Sequence, residues 1–119
     1  MADFNVNLRG IGSVSVIDVK GYLDAHTAPE LESVFNKLID EKNFKVVVNF
    51  DNLKYISSAG LGVFMAYVET MRENQGDIKF SNMKESVYNI FDLLGFPILY
   101  EFYKEENDAI TKFNEQGKP

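Results

Sequence analysis

The sequence contains no cysteine, which excludes a disulfide framework and a thiolate metal site. That suits a reducing cytoplasm, the location expected for it. No apolar stretch comes near the ~20 residues that a membrane span requires. Met1-Ala2-Asp3-Phe4 shows no basic patch followed by a long apolar run, so no signal peptide is expected. Basic residues are scarce: 12 Lys and Arg stand against 18 Asp and Glu, a net charge of −6. That balance argues against nucleic acid, whose phosphates reward clustered cations, and against an anionic membrane surface. Histidine occurs once, as His26, and reads as polar surface beside a helix start. No metal-ligand spacing, nucleotide-binding loop or nucleophile–base pair is present, so neither an enzyme nor a cofactor is expected. What remains is ordinary globular material, 45 % hydrophobic and 25 % charged over 119 residues, enough for one domain with one core.

The hydrophobic pattern alternates between strand and helix periods. Phe4, Val6 and Leu8 alternate with polar residues, and Val14 to Val19 is β-branched, which together predict an opening β-hairpin around a glycine-rich turn at Arg9-Gly10-Ile11-Gly12. Gly21 to Asp24 leads out of it. Thr27 with Glu30 matches a capping box, with Pro29 in the first turn, ahead of a helical face of Leu31, Val34, Phe35, Leu38 and Ile39. Phe44 to Phe50 is a strand, and the unbroken Val46-Val47-Val48 predicts cover on both faces. Asp51 to Ile56 reads as a connection to a helix bearing Leu61, Phe64, Met65 and Val68. Ile78 and Phe80 mark a short strand. Val87, Ile90, Phe91 and Leu94 mark a helix closed by Gly95, with Pro97 just beyond. Ile98 to Phe102 is expected as an edge strand and Ala109, Ile110 and Phe113 as a last helix, with residues 116–119 a disordered tail. The predicted fold is a single α/β domain over 1–119, with a mixed sheet of four or five strands and helices packed on it.

The informative segment runs from Val46 to Val68. A buried strand leads to Ser57-Ser58, and Gly60 and Gly62 then fall inside the first turns of a helix, where glycine costs about 1 kcal/mol relative to alanine. One reading is close packing of that helix on the sheet. The other is an approach from outside, by a phosphate or a partner protein, at a helix start whose free amides and dipole accept negative charge. A serine there serves equally as a plain N-cap or as a phosphate acceptor.

Asp51-Asn52-Leu53-Lys54-Tyr55-Ile56-Ser57-Ser58-Ala59-Gly60-Leu61-Gly62-Val63 resembles the signature of the STAS domain family, the sulfate transporter and anti-sigma factor antagonist domains. Gly21-Tyr22-Leu23-Asp24, Ser81-Asn82-Met83-Lys84 and the helix that follows extend the resemblance over essentially the whole chain. It implies a domain of the anti-sigma factor antagonist type. Such a domain binds an anti-sigma factor serine kinase when unphosphorylated, is released when the kinase phosphorylates it, and is restored by a PP2C-type phosphatase. The resemblance maps the phosphorylated serine onto Ser58, with Ser57 as the fallback. It places Asp24, Ser57, Ala59, Gly60 and Gly62 on the switch surface, and a free monomer is the default; Met83 reads as packing, or as a further residue of the partner surface, because methionine adapts to irregular contacts. Many members carry Asp immediately before the phosphorylated serine, where this chain has Ser57. The alternative is a non-switching STAS subunit of a larger assembly, such as a lipid-transport ABC complex or a stress-sensing scaffold. Asp51 at the end of a buried strand also fits a receiver-type phosphoacceptor, but Arg9-Gly10-Ile11-Gly12 lacks the acidic pair a receiver needs. Ser81-x-x-Lys84 matches a penicillin-binding pattern without its companion motifs and reads as a loop entering a helix. Met65 and Met71 read as core or semi-exposed packing.

Overall fold

The computed structural model describes residues 3–116. Phe4–Ile11 forms β1 and Val14–Leu23 forms β2, paired antiparallel with Phe4 opposite Gly21 and Ile11 opposite Val14. Phe4, Val6 and Leu8 are half-buried while Asn5 and Asn7 are exposed, as the period of two requires. The turn is tighter than predicted. Arg9, Gly10 and Ile11 belong to β1, and only Gly12 and Ser13 make the connection, Gly12 at φ +60. Two-residue hairpins need that left-handed backbone to match the twist of their strands.

The larger departure is in β3, which runs as one strand from Lys45 to Ile56. Asp51 to Ile56 is not a connection. Asp18 pairs with Asn49 but Lys20 pairs with Asn52; Gly21 pairs with Leu53 but Tyr22 pairs with Tyr55. Two bulges therefore add residues to β3 and twice reset which side chains point inward. One face buries Val46, Val48, Phe50, Leu53 and Ile56, and the other buries Val47. A spacing that changes from two to three hides the strand from a period-two reading.

Five strands pair in the order β1-β2-β3-β4-β5, with β4 at Asp77–Ser81 and β5 at Glu101–Tyr103. All pairs after the hairpin are parallel. Helices α1 (Ala28–Asp40), α2 (Ser58–Glu73) and α3 (Glu85–Leu93) cover one face, where Ile17, Val48, Phe50, Ile78 and Phe80 meet Leu31, Phe35, Phe64 and Phe91. Phe80 sits at the centre of this core. Its ring lies 4.9–5.4 Å from those of Phe50, Phe64, Phe91, Tyr100 and Phe102. Met65 points to solvent and Met71 is fully buried. Ile98 and Leu99 do not enter β5. Gly95, at φ +77, ends α3, and Phe96–Leu99 forms a single helical turn, α4, with Pro97 at its start. Leu94 is the residue that caps α3, and it is exposed rather than part of the buried face.

The opposite face is covered by α5 (Glu106–Gln116), whose Ala109, Ile110 and Phe113 cover Val14, Val16 and Val47. Val46, Val47 and Val48 thus serve two cores alternately. Gln116 is the last residue of α5 and not the start of a disordered tail; residues 117–119 lie outside the described residues. Polar contacts seat α5. The Arg9 guanidinium donates to Asp18 at 2.6 and 2.8 Å and to Glu106 at 3.2 Å, and Asn49 donates to Glu106 at 3.0 Å. The Arg9 hydrogen bond outweighs burial and holds the Glu106 carboxyl below its ordinary range. Buried Lys79 donates to Glu101 at 2.9 Å and lies 4.6 Å from the Phe113 ring centre.

Two outcomes follow from this packing. Phe80→Ala should cost about 3–5 kcal/mol, read as a clear fall in the urea unfolding midpoint. Because Glu106 has a depressed folded pKa, its contribution is present above the ordinary carboxylate value and is lost as pH falls through the folded one. Arg9→Met should therefore lower the unfolding midpoint at pH ~7 and make its further decline toward pH ~3.5 shallower than in the unaltered chain. An unchanged acid decline would show that the Arg9–Glu106 contact does not carry it.

Candidate functional site

The site forms where β2 and β3 leave the sheet together. Leu23 and Ile56 are the last register partners, and the Ser57 amide donates to the Leu23 carbonyl at 2.9 Å. The loop after Leu23 begins at Asp24 and the cap of the helix after Ile56 is Ser57, so the parallel pairing sends both segments out from the same end of the sheet.

Ser57 is the N-cap of α2. Its backbone is extended, its carbonyl accepts from Leu61 N at 3.0 Å, and its hydroxyl oxygen accepts from Gly60 N at 3.4 Å. It is half-buried. Ser58 is the first helical residue and is exposed, as is Ala59. Among the described residues nothing bonds the Ser58 hydroxyl, and nothing accepts from the amides of Ser58 and Ala59. These amides are the free donors of the helix start, which carries no acidic residue in its first turn. The two serines therefore differ: one oxygen is committed to the fold and the other is open to solvent.

The two glycines differ as well. A Cβ on Gly60 would lie 2.8 Å from Leu23 Cγ, 3.0 Å from the Leu23 carbonyl oxygen and 3.1 Å from Ile56 Cγ1. Close packing of the helix start on β2 accounts for Gly60. A Cβ on Gly62 would meet nothing within 4 Å, and its backbone angle is not left-handed. No contact within the chain requires glycine there, so it leaves a shallow place on the outer surface of α2.

Asp24 serves its own loop. One carboxylate oxygen accepts from His26 N at 2.9 Å and Thr27 N at 3.1 Å. The predicted capping box does not form. Thr27 is buried, its hydroxyl donates to the Tyr22 carbonyl at 2.8 Å and accepts from Asp24 N at 3.0 Å, and no side-chain cap reaches α1. The tertiary demand to tie the end of β2 takes the hydroxyl away from the helix. Met83 is placed differently from the other candidates. β4 leaves the sheet opposite Asn49, well short of Ile56, and Met83 packs half-buried against the core there. Leu23 is the residue a reading of the motif alone misses; it receives Ser57 and excludes a side chain at Gly60. Tyr22 and Tyr55 stand exposed beside it, with ring centres 6.3 Å apart. Among the described residues no group of three His, Cys, Asp or Glu side chains could hold a metal ion.

Known proteins resemble this chain in sequence and in fold. The family model of the STAS domain matches residues 5–109. The chain is 32 % identical over 93 residues to the anti-sigma-B factor antagonist of Staphylococcus epidermidis, a match covering 76 % of this chain and 86 % of that protein. The same protein of Staphylococcus aureus is 28 % identical over 93 residues. Among solved structures, an anti-sigma factor antagonist from Mycobacterium paratuberculosis superimposes with a TM-score of 0.86 at 21 % identity, over 94 % of this chain and 95 % of that one. The anti-sigma factor antagonist SpoIIAA in its unphosphorylated form gives 0.82 at 19 % identity, over 93 % and 97 %. The family model spans most of the chain and the solved structures share its fold, so this chain belongs to the STAS domain family.

Proposed function

We propose that this chain is an anti-sigma factor antagonist switched by phosphate on Ser58. Unphosphorylated, it binds an anti-sigma factor serine kinase in the cytoplasm; phosphorylated, it is released; a PP2C-type phosphatase restores it. It acts by binding and carries no catalytic residue of its own. The observation that supports this reading most directly is the contrast between the serines: Ser57 gives its oxygen to Gly60, while Ser58 is exposed with its hydroxyl uncommitted. The relatives in Staphylococcus, named as anti-sigma-B factor antagonists, point the same way.

The physics of the helix start explains how one phosphate would change binding and leave the fold intact. Phosphorylation adds about −1.5 to −2 charges at pH 7. At the first residue of α2 that charge meets free backbone amides and the positive end of the helix dipole, so the fold tolerates it. A partner covering the same surface would have to desolvate the charge or oppose it, at a cost of several kcal/mol. Gly62 fits this reading, because its missing side chain lets a partner backbone approach α2 closely.

Ser58→Asp is expected to weaken binding of the purified kinase by about 100-fold or more with an unchanged circular dichroism spectrum, while Ser58→Ala should bind as the unaltered chain does and take no phosphate. Equal binding by Ser58→Asp would sink the proposal. Phosphosite mapping on the native chain separates the remaining cases: phosphate on Ser57 moves the switch by one residue, and no phosphate under any condition selects the constitutive assembly subunit. Gly62→Ala should raise folding stability by up to about 1 kcal/mol through helix propensity and yet weaken kinase binding. Calorimetric unfolding and a binding titration on the same sample check both signs.

A further inference from the structure

The two edges of the sheet are built differently. β5 closes one side with three residues, Glu101–Tyr103. β1 closes the other with eight, Phe4–Ile11, and among the described residues no strand pairs with its outer side. The β1–β2 ladder is regular, residue for residue, whereas the β2–β3 ladder shifts twice. β1 also holds no proline and no lysine. Its one charged side chain, Arg9, donates to Asp18 on β2 and Glu106 on α5, so it is drawn inward over the sheet and not across the edge. Sheets usually blunt a long edge with a bulge, a proline or a lysine, because its unpaired amides and carbonyls are a template for another strand. β1 carries none of these devices.

The hydrogen bonds decide which groups are free. The Tyr22 amide donates to the Asp3 carbonyl at 2.8 Å. In an antiparallel ladder, bonded pairs alternate with non-bonded ones. With Phe4 opposite Gly21, the backbones of Asn5, Asn7 and Arg9 likewise bond to β2. The amides and carbonyls of Phe4, Val6, Leu8 and Gly10 therefore point to the open side. The side chains of Phe4, Val6 and Leu8 pack on the helix-covered face but stay half-buried, so their cover is incomplete. Asn5 and Asn7 are exposed on the other face.

We propose that β1 pairs with β1 of a second copy of this chain, antiparallel about a two-fold axis at Val6, so that two sheets join into one. The strand is complementary to itself in that register. Val6 faces Val6 of the second copy and Phe4 faces its Leu8, so the outward groups bond to one another and the apolar side chains meet on the helix-covered face. On the other face Asn5 meets Asn7, and two amides can both donate and accept. Asp3 meets Arg9, opposite in charge. A shift of one residue would set the outward groups against groups already bonded to β2. A shift of two would set Phe4 against Gly10, or carry Leu8 past the start of β1. Two-fold pairing occupies both long edges and stops at two copies. One strand is a small interface, short of the ~800 Å² per partner of a stable complex, so the dimer is weak and in equilibrium with the monomer. The proposal does not rest on the phosphorylation reading, which uses the start of α2.

Sedimentation equilibrium on the full chain tests this, with an expected dimer Kd on the order of 10–100 μM. The exposed pair Asn5 and Asn7 reads out the register. Asn5→Lys with Asn7→Lys sets like charges opposite one another and should weaken the dimer at least about tenfold. Asn5→Lys with Asn7→Glu sets each lysine against a glutamate of the second copy and should tighten it. Circular dichroism should be unchanged in both. The chain has no cysteine of its own, so introduced thiols report on position alone. Directly opposed residues of a non-bonded pair have Cα atoms ~4.5 Å apart, within reach of a disulfide. An equimolar mixture of Asn5→Cys and Asn7→Cys chains should therefore cross-link on oxidation into a mixed dimer, far faster than either variant alone. A chain that stays monomeric up to about 1 mM would overturn the proposal. So would self-association that the two-lysine variant leaves intact, equal weakening by both charge variants, or cross-linking no faster in the mixture, because the contact would then lie on another surface or in another register.

Discussion

The start of α2 can sit where it does only because there is no room for a side chain between it and the end of β2. Gly60 packs so closely on Leu23 that a single added carbon would come within 2.8 Å of the leucine side chain. The same strand end receives the Ser57 amide through the Leu23 carbonyl. One contact thus anchors the cap of α2, fixes the exit of β3, and sends the loop of Asp24 out from the same end of the sheet. Ser57 can then give its oxygen to the helix while Ser58, one residue later, faces water. The structural contrast between neighbouring serines is a consequence of that packing.

The rest of the molecule supports this point by keeping the sheet rigid and covered. Phe80 and its ring neighbours fill the helix-covered face, and α5 closes the other through Ala109, Ile110 and Phe113. The buried and half-buried charges that seat α5 are answered within the fold: Arg9 bridges Asp18 and Glu106, and buried Lys79 meets Glu101. Burial alone would raise the Glu101 carboxyl, but hydrogen bonds from Tyr103 and Lys79 outweigh it and hold it low. At the serine surface the opposite holds: there the Ser58 hydroxyl and the first amides of α2 have no partner among the described residues.

Much of the architecture was legible in local pattern. The alternation of Phe4, Val6 and Leu8, the apolar face of α1, the three valines of β3 and the glycine that ends α3 each predict their element from a few neighbouring residues. The serine-glycine motif gave the family because it joins several such signals in a fixed order. The reading failed where packing or pairing gave a residue a different role from the one its local pattern suggests. Thr27 has the sequence of a capping residue, but the Tyr22 carbonyl claims its hydroxyl. Leu94 has helical spacing, but Gly95 ends α3 and leaves it outside the core. Asp51 to Ile56 lacks a strand's period because two bulges against β2 shift it.

The sequence by itself determined the order and type of most elements, the two-sided burial of β3 and the family, since these depend on periodicities and motifs carried by adjacent residues. Tertiary structure alone decided how far β3 extends, which glycine is forced by packing and which is not, and which serine keeps a free hydroxyl. Each of these is set by what lies across the sheet or beneath the helix, as Asp18 does for Asn49 and Leu23 does for Gly60. No local period carries that information, because the partner is dozens of residues away along the chain.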